Sequence, residues 1–321
     1  MGMEDVELLT RVAWLHFMEG ATQREIARRL GISQPKVARL LDKAQKCGIV
    51  RISISSPYAN CLSIERKLCS LFPQLEDVVV VPTPPGDLFE ALGKAGALYL
   101  EKVLQSGDLV GIAWGRTLKC VASSIRKTQA RGLKFVTLVG GLTSSASLNP
   151  YTIGEKLASI FEGECYYLYA PAVVESEEVR NFYLGEKINQ KTLELARQAC
   201  WSIVGIGTVD ARHSIYTLTG FIDYQELELL RQRGAVGDIV GQFYDWNGVI
   251  VDTPLHRRTV ALPLEDLRTM RNVIGIAGGR EKVAAIRGAL RGKYIKILIT
   301  DEETAQSIVS EEEKEGLECP G

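Results

Sequence analysis

Short apolar runs alternate with helical stretches from residue 77 to residue 301, and this alternation limits the possible folds more than any other feature of the chain. Runs such as DVVVVP and FVTLVGG are apolar at consecutive positions, which is typical of strands buried on both faces of a sheet. Helices between such strands allow the strands to run parallel. We therefore predict an α/β fold with a Rossmann-like, mostly parallel sheet. The predicted strands are residues 77–82, 109–115, 135–141, 165–171, 201–209, 273–279 and 294–301.

Small-residue loops follow four of these strands, at residues 114–117, 139–142, 205–208 and 277–280. Ligands of parallel sheets bind beyond the carboxyl ends of the strands, where glycine lets backbone N–H groups approach an anion. One Gly-Gly pair alone is more often a plain turn, but four such loops together favour an anion site. None matches a dinucleotide or P-loop motif. The candidate residues in these loops are Gly115, Arg116, Thr117, Gly140, Gly141, Leu142, Gly207, Thr208 and Gly279.

Residues 22–46 carry the signals of two short helices joined at a glycine. Thr22 followed by Glu25 is a capping-box pattern, and Gly31 ends the helix that it opens. Ser33 and Pro35 then fit the first positions of a second helix. Two such helices predict a helix-turn-helix, and the alternating residues 49–55 predict a short wing or connector strand, so the domain is expected to be winged-helix-like. A three-helix interaction module that binds no nucleic acid is the alternative.

The same segment is basic. Residues 23–51 contain eight Lys or Arg against two acidic residues, although the whole chain has a net charge of −1. A local excess of this kind indicates a polyanion contact, and the second helix of a helix-turn-helix enters the major groove. Gln34 can pair with adenine, whereas Thr22 and Gln23 are placed for the DNA backbone. The candidate DNA-binding residues are Thr22, Gln23, Ser33, Gln34, Pro35, Lys36, Arg39 and Lys43.

Composition narrows the class of protein further. No apolar run reaches the roughly 18–20 residues that cross a bilayer, and the acidic start MGMEDVELLT lacks the order of a secretory signal. The seven cysteines include no C-x-x-C pair and none at zinc-finger spacing. We therefore expect a cytoplasmic protein with reduced thiols, no membrane partner, no structural metal and no cofactor.

Several longer segments resemble a known family. TQREIARRLGISQPKVARLLDKAQKCGIVRISI closely resembles the DNA-binding segment of SorC/DeoR-type sugar-responsive transcriptional regulators. Six further segments resemble the effector domain of the same family: GDLVGIAWGRTL, FVTLVGGL, APAVVES, IVGIGTV, AVGDIVGQFYDWNG and IAGGREKVAAIRGALRGKYIKILITDEETA. We place the helix-turn-helix domain at residues 1–56 and the effector-binding and oligomerisation domain at residues 57–321.

The resemblance implies that the second domain is similar in fold to sugar-phosphate isomerases. It also implies double-stranded operator DNA and a phosphorylated sugar effector as partners, and a homo-oligomer, commonly a tetramer. We thus expect a repressor of carbohydrate metabolism whose operator binding is controlled by the sugar phosphate. The identity of the sugar and the direction of its effect stay open.

The resemblance also suggests roles for single residues. Lys282 matches the lysine that follows the family's Gly-Gly pair and is implied to contact phosphate. Asp238 and Asp245 lie where a carboxylate can accept hydrogen bonds from sugar hydroxyls, although each could equally be a surface or helix-capping aspartate. Arg212 is a weaker candidate.

An isomerase-like sheet leaves an alternative open, in which the protein is a sugar-phosphate isomerase-like enzyme with an accessory DNA-binding domain. Such chemistry needs a positioned general base. His213 is a candidate pocket residue, but no nucleophile–base pair lies near it in the sequence, and Asp238 and Asp245 stay open as bases. We name no catalytic residue and expect a regulator rather than an enzyme, since fold analogy alone does not establish activity.

Overall fold

The structure is a computed structural model that describes residues 3–52, 56, 58–126, 129–142, 146–218 and 220–318. The chain forms two compact units, Met1–Ser56 and Pro57–Gly321. Within the described residues, no helix combines the length and apolar character that a membrane-crossing segment needs.

The N-terminal unit contains three helices, α1 (Met3–Phe17), α2 (Gln23–Leu30) and α3 (Gln34–Lys46). Val12, Ile26 and Val37, one from each helix, are fully buried in its core. The capping box at α2 is formed as predicted, because Thr22 Oγ1 accepts from the Glu25 N–H and Glu25 accepts from the Thr22 N–H at 2.8 Å. The predicted helix-turn-helix is confirmed.

The wing strand predicted at residues 49–55 is not formed over its described part, residues 49–52. The N–H groups of Ile49 and Val50 both donate to the Ala44 carbonyl, at 3.0 and 3.1 Å. These bonds turn the chain back onto the end of α3, so the two residues cannot extend into a ladder. Residues 53–55 lie outside the described residues.

The C-terminal unit is built on a seven-stranded sheet in which every neighbouring pair is parallel. The strand order is β1-β10-β9-β5-β2-β3-β4. All residues of β9 and β10 are buried, which requires cover on both faces of the sheet and confirms the predicted α/β class. The strands of the unit are β1 (Asp77–Val81), β2 (Leu109–Ile112), β3 (Lys134–Thr137), β4 (Glu164–Tyr166), β5 (Trp201–Gly205), β6 (Gly207–Thr208), β7 (Ala235–Ile239), β8 (Gln242–Asp245), β9 (Val273–Ile276) and β10 (Ile297–Asp301).

Helices connect these strands. α5 packs on α6 and on β10, while α15 packs on α4 and on β10. The helices of the unit are α4 (Tyr58–Leu71), α5 (Leu88–Val103), α6 (Arg116–Ser124), α7 (Pro150–Ile160), α8 (Glu177–Gly185), α9 (Lys187–Arg197), α10 (Ile215–Leu218), α11 (Tyr224–Gln232), α12 (Pro254–Arg258), α13 (Asp266–Thr269), α14 (Val283–Arg291) and α15 (Glu302–Glu318).

A small antiparallel sheet, β6-β7-β8, was not predicted. The sequence indicates one strand at residues 201–209, but the chain leaves the large sheet after Gly205 and resumes as β6, which pairs with β7. The predicted strand at 165–171 is likewise short, because only Glu164–Tyr166 pairs with β3.

The order of the large sheet reverses between β2 and β5, which are neighbours. From β2 the chain runs through β3 to β4 at one edge, whereas from β5 it runs through β9 and β10 toward the other edge. The connections after β2 and β5 therefore leave in opposite directions and open a crevice at the carboxyl ends of these two strands. Crevices of this kind are where open parallel sheets bind their ligands, so this point of the fold is the candidate site.

Candidate effector and DNA-binding sites

A cavity occupies this crevice and joins segments that are far apart in the sequence. It brings together the first and third of the four predicted loops, together with Asp238 and Lys282. The lining residues are Phe89, Trp114, Gly115, Arg116, Thr117, Gly205, Ile206, Gly207, His213, Ile215, Asp238 and Lys282.

The N-terminus of α6, which follows the first loop (residues 114–117), lies at the cavity. Gly115 has φ +120°, a conformation that favours glycine, and it forms the N-cap of α6. The first N–H groups of a helix have no acceptor within the helix and carry a partial positive charge. Thr117 is buried in the first turn of α6, beside Arg116.

Two full positive charges lie in the same cavity. The Arg116 guanidinium lies 4.1 Å from the centre of the Phe89 ring, and Lys282 Nζ lies 5.8 Å from it. Lys282 is buried, and this burial lowers its pKa to about 8. Among the described residues, neither cation has a carboxylate within ion-pair distance. The carboxylates of Glu281 and Asp238 act on Lys282 only from beyond ion-pair distance, so hydrogen-bonding capacity of both cations is left for an anionic ligand.

Asp238 supplies the opposite charge at another part of the wall. Its Oδ2 accepts from the Tyr216 hydroxyl at 2.9 Å and from the Gly241 N–H at 3.3 Å. Its Oδ1 is buried and has no hydrogen-bond partner among the described residues. Burial raises the pKa of Asp238 to about 6, so the carboxylate is ionised at neutral pH and has one oxygen left to accept a donor.

Gly140, Gly141 and Leu142, expected in the same site, do not line this cavity. The Gly140 N–H donates to the Val260 carbonyl at 3.0 Å, and the Gly141 N–H donates to the Ala170 carbonyl at 2.8 Å. Leu142 is a buried core residue. The second glycine pair thus allows close approach of neighbouring backbone rather than approach of a ligand.

Thr208 and Gly279 are also engaged by the protein. The Thr208 hydroxyl donates to the Glu281 carbonyl at 3.0 Å, which ties β6 to the segment that carries Lys282. The Gly279 N–H donates to Thr304 Oγ1 at 2.7 Å. Neither residue lines the cavity, so the structure places both around the site instead of in it.

Asp245 has a local structural role. Its Oδ1 accepts from the N–H groups of Asn247 and Val249, at 2.9 and 2.8 Å, and so closes the turn after β8. It does not line the cavity. Of the two candidate aspartates, the structure brings only Asp238 to the site.

Some lining residues were not among the predicted site residues. Trp114, Gly205 and Ile206 lie within the predicted loops 114–117 and 205–208 but were not chosen as candidate site residues. Phe89 and Ile215 carry no signal in the sequence, because each is one apolar residue within a helix and reaches the cavity only through tertiary packing.

In the N-terminal unit, α3 presents the predicted DNA-binding residues to solvent. Ser33, Gln34, Pro35, Lys36, Arg39 and Lys43 are exposed, as is Thr22, whereas Gln23 is half-buried. The inner side of α3, with Val37, Leu41 and Ala44, is buried. Ser33 occupies the N-cap, but its side chain makes no capping hydrogen bond. The exposed surface of α3 is therefore polar and basic and is not occupied by its own unit.

Comparison with known proteins connects both units to regulators. The family described as "Putative sugar-binding domain" matches residues 56–310, and the MarR family matches residues 12–57. The erythritol catabolism regulatory protein EryD of Brucella abortus (strain 2308) is 34% identical over 315 residues, which are 97% of this chain and 99% of that protein. The deoxyribonucleoside regulator of Bacillus subtilis (strain 168) is 32% identical over 97% of this chain and all of its own length.

Solved structures agree with the sequence relatives. The full-length sorbitol operon regulator SorC from Klebsiella pneumoniae matches 95% of this chain and 99% of its own, with a TM-score of 0.74 and 30% identity. These relatives are regulators, which supports a regulatory rather than an enzymatic role. The chain belongs to the SorC/DeoR-type sugar-responsive transcriptional regulators, in which a helix-turn-helix unit is joined to a sugar-binding domain.

Proposed function

We propose that this protein regulates genes of carbohydrate catabolism, that α3 binds operator DNA, and that a phosphorylated sugar in the cavity between the ends of β2 and β5 controls this binding. One observation carries the proposal. A single cavity contains two cations with no carboxylate at ion-pair distance and, on another part of its wall, a carboxylate with one oxygen that has no hydrogen-bond partner, as far as the described residues go. A sugar phosphate carries both complementary groups, an anion and hydroxyl donors.

The phosphate is assigned to the N-terminus of α6, Arg116 and Lys282. A helix N-terminus and a guanidinium both donate hydrogen bonds to phosphate oxygens, and such bonds to charged groups are the stronger ones. Phe89 holds the guanidinium through its ring face and offers no competing anion. A neutral sugar would leave the buried charge of Lys282 without a partner.

The sugar hydroxyls are assigned to Asp238. A carboxylate accepts hydrogen bonds and donates none when ionised, so Oδ1 selects a donor. Gly207, which faces it, leaves room for this carboxylate because it has no side chain. A ligand with phosphate at one end and a hydroxyl at the other therefore satisfies both parts of the cavity.

A thermal-shift screen of the full chain tests the ligand assignment. Phosphorylated sugars should raise the melting temperature, because they bind the native state, and the matching unphosphorylated sugars at equal concentration should raise it less. The same compounds are then added to a gel-shift assay with the upstream DNA of the gene. If neutral sugars stabilise the protein as well as their phosphates do, the phosphate assignment is wrong.

The assembly and the sign of regulation are also proposed. We infer a homotetrameric repressor that acts in the cytoplasm. Self-association is supported by apolar side chains exposed on α8 and α9, among them Phe182 at 63% and Ile188 at 54% exposure. Light scattering of the purified chain tests the oligomeric state, and a reporter gene behind the operator tests repression.

A further inference from the structure

Asp301, the last residue of β10, is a buried carboxylate that does not line the ligand cavity. Its Oδ2 accepts hydrogen bonds from the Thr83 hydroxyl at 2.7 Å and from the Thr304 N–H at 3.3 Å. Its Oδ1 accepts from the Thr304 hydroxyl at 2.5 Å and from the Gly279 N–H at 3.2 Å. All four neighbouring groups are donors, so this position suits a side chain that accepts at both of its oxygens, as a carboxylate does.

The hydrogen bonds of Asp301 do more than cap a helix. Asp301 directly precedes α15, and its bond with the Thr304 N–H satisfies a donor of the first turn. A cap does not require bonds to Thr83, which follows β1, or to Gly279, which follows β9. Among the described residues, no Lys or Arg lies within ion-pair distance of the carboxylate. Burying a charge that only hydrogen bonds balance is costly, so the extra bonds point to a further role.

The carboxylate fixes the main chain that follows β9. Thr304 Oγ1 accepts from the Gly279 N–H at 2.7 Å and donates its own proton to Asp301, which makes a continuous hydrogen-bond chain. A methyl group on Gly278 would lie 2.3 Å from Asp301 Oδ1, so the main chain passes close to the carboxylate at this residue. The turn after β9 is therefore held at two consecutive residues against the end of β10.

This turn carries Lys282, one of the two cations of the cavity. Gly279 is the N-cap of the short 3₁₀-helix Arg280–Lys282, and the Lys282 N–H donates to the Gly279 carbonyl at 2.9 Å. A shift of Gly279 therefore moves the backbone of Lys282. Among the described residues, the charged groups that act on Lys282 do not include Asp301. Asp301 thus reaches Lys282 through the main chain and not through its charge.

We propose that the hydrogen-bond chain from Gly279 through Thr304 to Asp301 positions Lys282 for the phosphate of the effector. Neither Thr304 nor Asp301 lines the cavity, so both are positioning residues that act through the turn. The inference rests on the proposed function and deepens it, because it extends phosphate recognition to residues outside the cavity.

The physical reason is preorganisation. A lysine binds phosphate as a point charge on a flexible four-carbon stem, and ordering such a side chain on binding reduces the affinity. Lys282 is buried, and the fixed turn sets where its backbone, and with it the ammonium, lies. Without the Thr304 hydroxyl, part of the binding free energy is used to order the turn and the lysine.

Thr304→Val is the sharpest test, because it removes the hydroxyl in a side chain of similar shape and keeps the N–H that caps α15. Isothermal titration calorimetry of the full chain measures the Kd of each member of a set of aldose and ketose phosphates that raises the melting temperature. We expect Thr304→Val to raise this Kd roughly fivefold or more. Thr304→Ser, which keeps the hydroxyl, should recover most of the affinity.

Thr300→Val is the matched control on β10. Thr300 is buried like Thr304, but its Oγ1 has no hydrogen-bond partner in the part of the chain that the structure describes. Its substitution should leave the Kd unchanged. Equal losses in Thr300→Val and Thr304→Val, or no recovery in Thr304→Ser, would overturn the positioning role.

A double-mutant cycle with Lys282 separates positioning from a general effect on the fold. In a Lys282→Gln background, Thr304→Val should change the Kd by less than about twofold, because the group that it positions is gone. In an Arg116→Gln background, Thr304→Val should keep its full effect. An equal loss in both backgrounds would show a purely structural role and overturn the inference.

The results for Lys282 and Thr304 also separate the two proposals. If Lys282→Gln weakens binding and Thr304→Val does not, the positioning role is wrong and the proposed function stands. If Lys282→Gln leaves the affinity unchanged, Lys282 does not bind the phosphate, and both the inference and the phosphate assignment fail. Both also fail if no sugar phosphate in the set raises the melting temperature.

Discussion

Gly207 and Asp238 face each other across β6 and β7, and a methyl group on Gly207 would lie 1.8 Å from Asp238 Oδ1. No side chain other than hydrogen fits there unless the carboxylate moves. The glycine is thus required for the position of Asp238 Oδ1, which has no hydrogen-bond partner in the part of the chain that the structure describes. Its role is steric, since its backbone has no positive φ.

Gly207→Ala should therefore weaken sugar-phosphate binding. Displacing Asp238 removes one hydrogen bond to a charged group, a loss of about 1.5–3 kcal/mol, or roughly 10- to 100-fold in Kd. Isothermal titration calorimetry measures it. Gly205→Ala is the matched control in the same cavity, because a methyl group there meets its nearest atom at 3.5 Å, an ordinary contact. Equal losses in both variants would contradict the steric argument.

Arg116→Gln should reduce the preference for phosphorylated over free sugars. No described carboxylate lies within ion-pair distance of Arg116, whose guanidinium rests on the Phe89 ring, so the variant loses a charge-assisted contact with the ligand and little else. We expect a loss of about tenfold or more in affinity for the sugar phosphate and little change for the free sugar. Arg280→Gln is the control, since Arg280 is exposed and paired with Glu303. If Arg280→Gln loses affinity for the sugar phosphate and Arg116→Gln does not, the phosphate does not bind at Arg116.

Binding of the sugar phosphate should depend on pH through Lys282. Burial lowers the pKa of this lysine to about 8, so the ammonium is charged below that pH and neutral above it. The attraction for phosphate is present below pH 8 and is lost as the pH rises through it. We expect Kd to rise between about pH 7 and pH 9.

The Lys282→Gln variant should bind the sugar phosphate more weakly than the parent protein at neutral pH, and its Kd should change little between about pH 7 and pH 9. Melting temperatures recorded at each pH exclude unfolding as the cause. An alkaline loss of the same size in this variant would assign the dependence to another group.

DNA binding should respond differently to two substitutions on α3. Gln34→Ala removes the proposed base contact. It should reduce the free energy of binding to the operator by about 1–3 kcal/mol and leave binding to nonspecific DNA unchanged. Lys43→Gln should weaken binding to all DNA sequences. It should also reduce the slope of log Kd against log salt concentration by about one, because one phosphate contact is lost. Fluorescence anisotropy at several salt concentrations measures both, with Arg11→Gln on α1 as the control. If Gln34→Ala weakens all sequences equally, it does not read a base.

The helix-turn-helix and the parallel sheet could be predicted because their signals are local. Thr22, Glu25 and Gly31 specify the ends of α2 through contacts within a few residues. The buried strands are apolar at consecutive positions whatever their neighbours are. The failed wing strand shows the limit, since the sequence of residues 49–55 predicts a strand but the N–H groups of Ile49 and Val50 donate to the Ala44 carbonyl at the end of α3.

The ligand site could be predicted only in part, because its loops look alike in sequence. The pair Gly140-Gly141 and the turn at Gly115 both follow a buried strand, but only the second opens on the crevice. What separates them is the order of the strands in the sheet, which depends on long-range pairing. The same holds for Phe89, whose contact with Arg116 joins two different helices.

The central claim is that the ligand in the cavity controls operator binding, and one measurement addresses it directly. Labelled upstream DNA is titrated with the full chain by fluorescence anisotropy, with and without a sugar phosphate that raises the melting temperature. The account predicts a change of about fivefold or more in the Kd for operator with the sugar phosphate, and a response of Gly207→Ala that requires roughly 10- to 100-fold more ligand. An unchanged Kd at saturating sugar phosphate would contradict it.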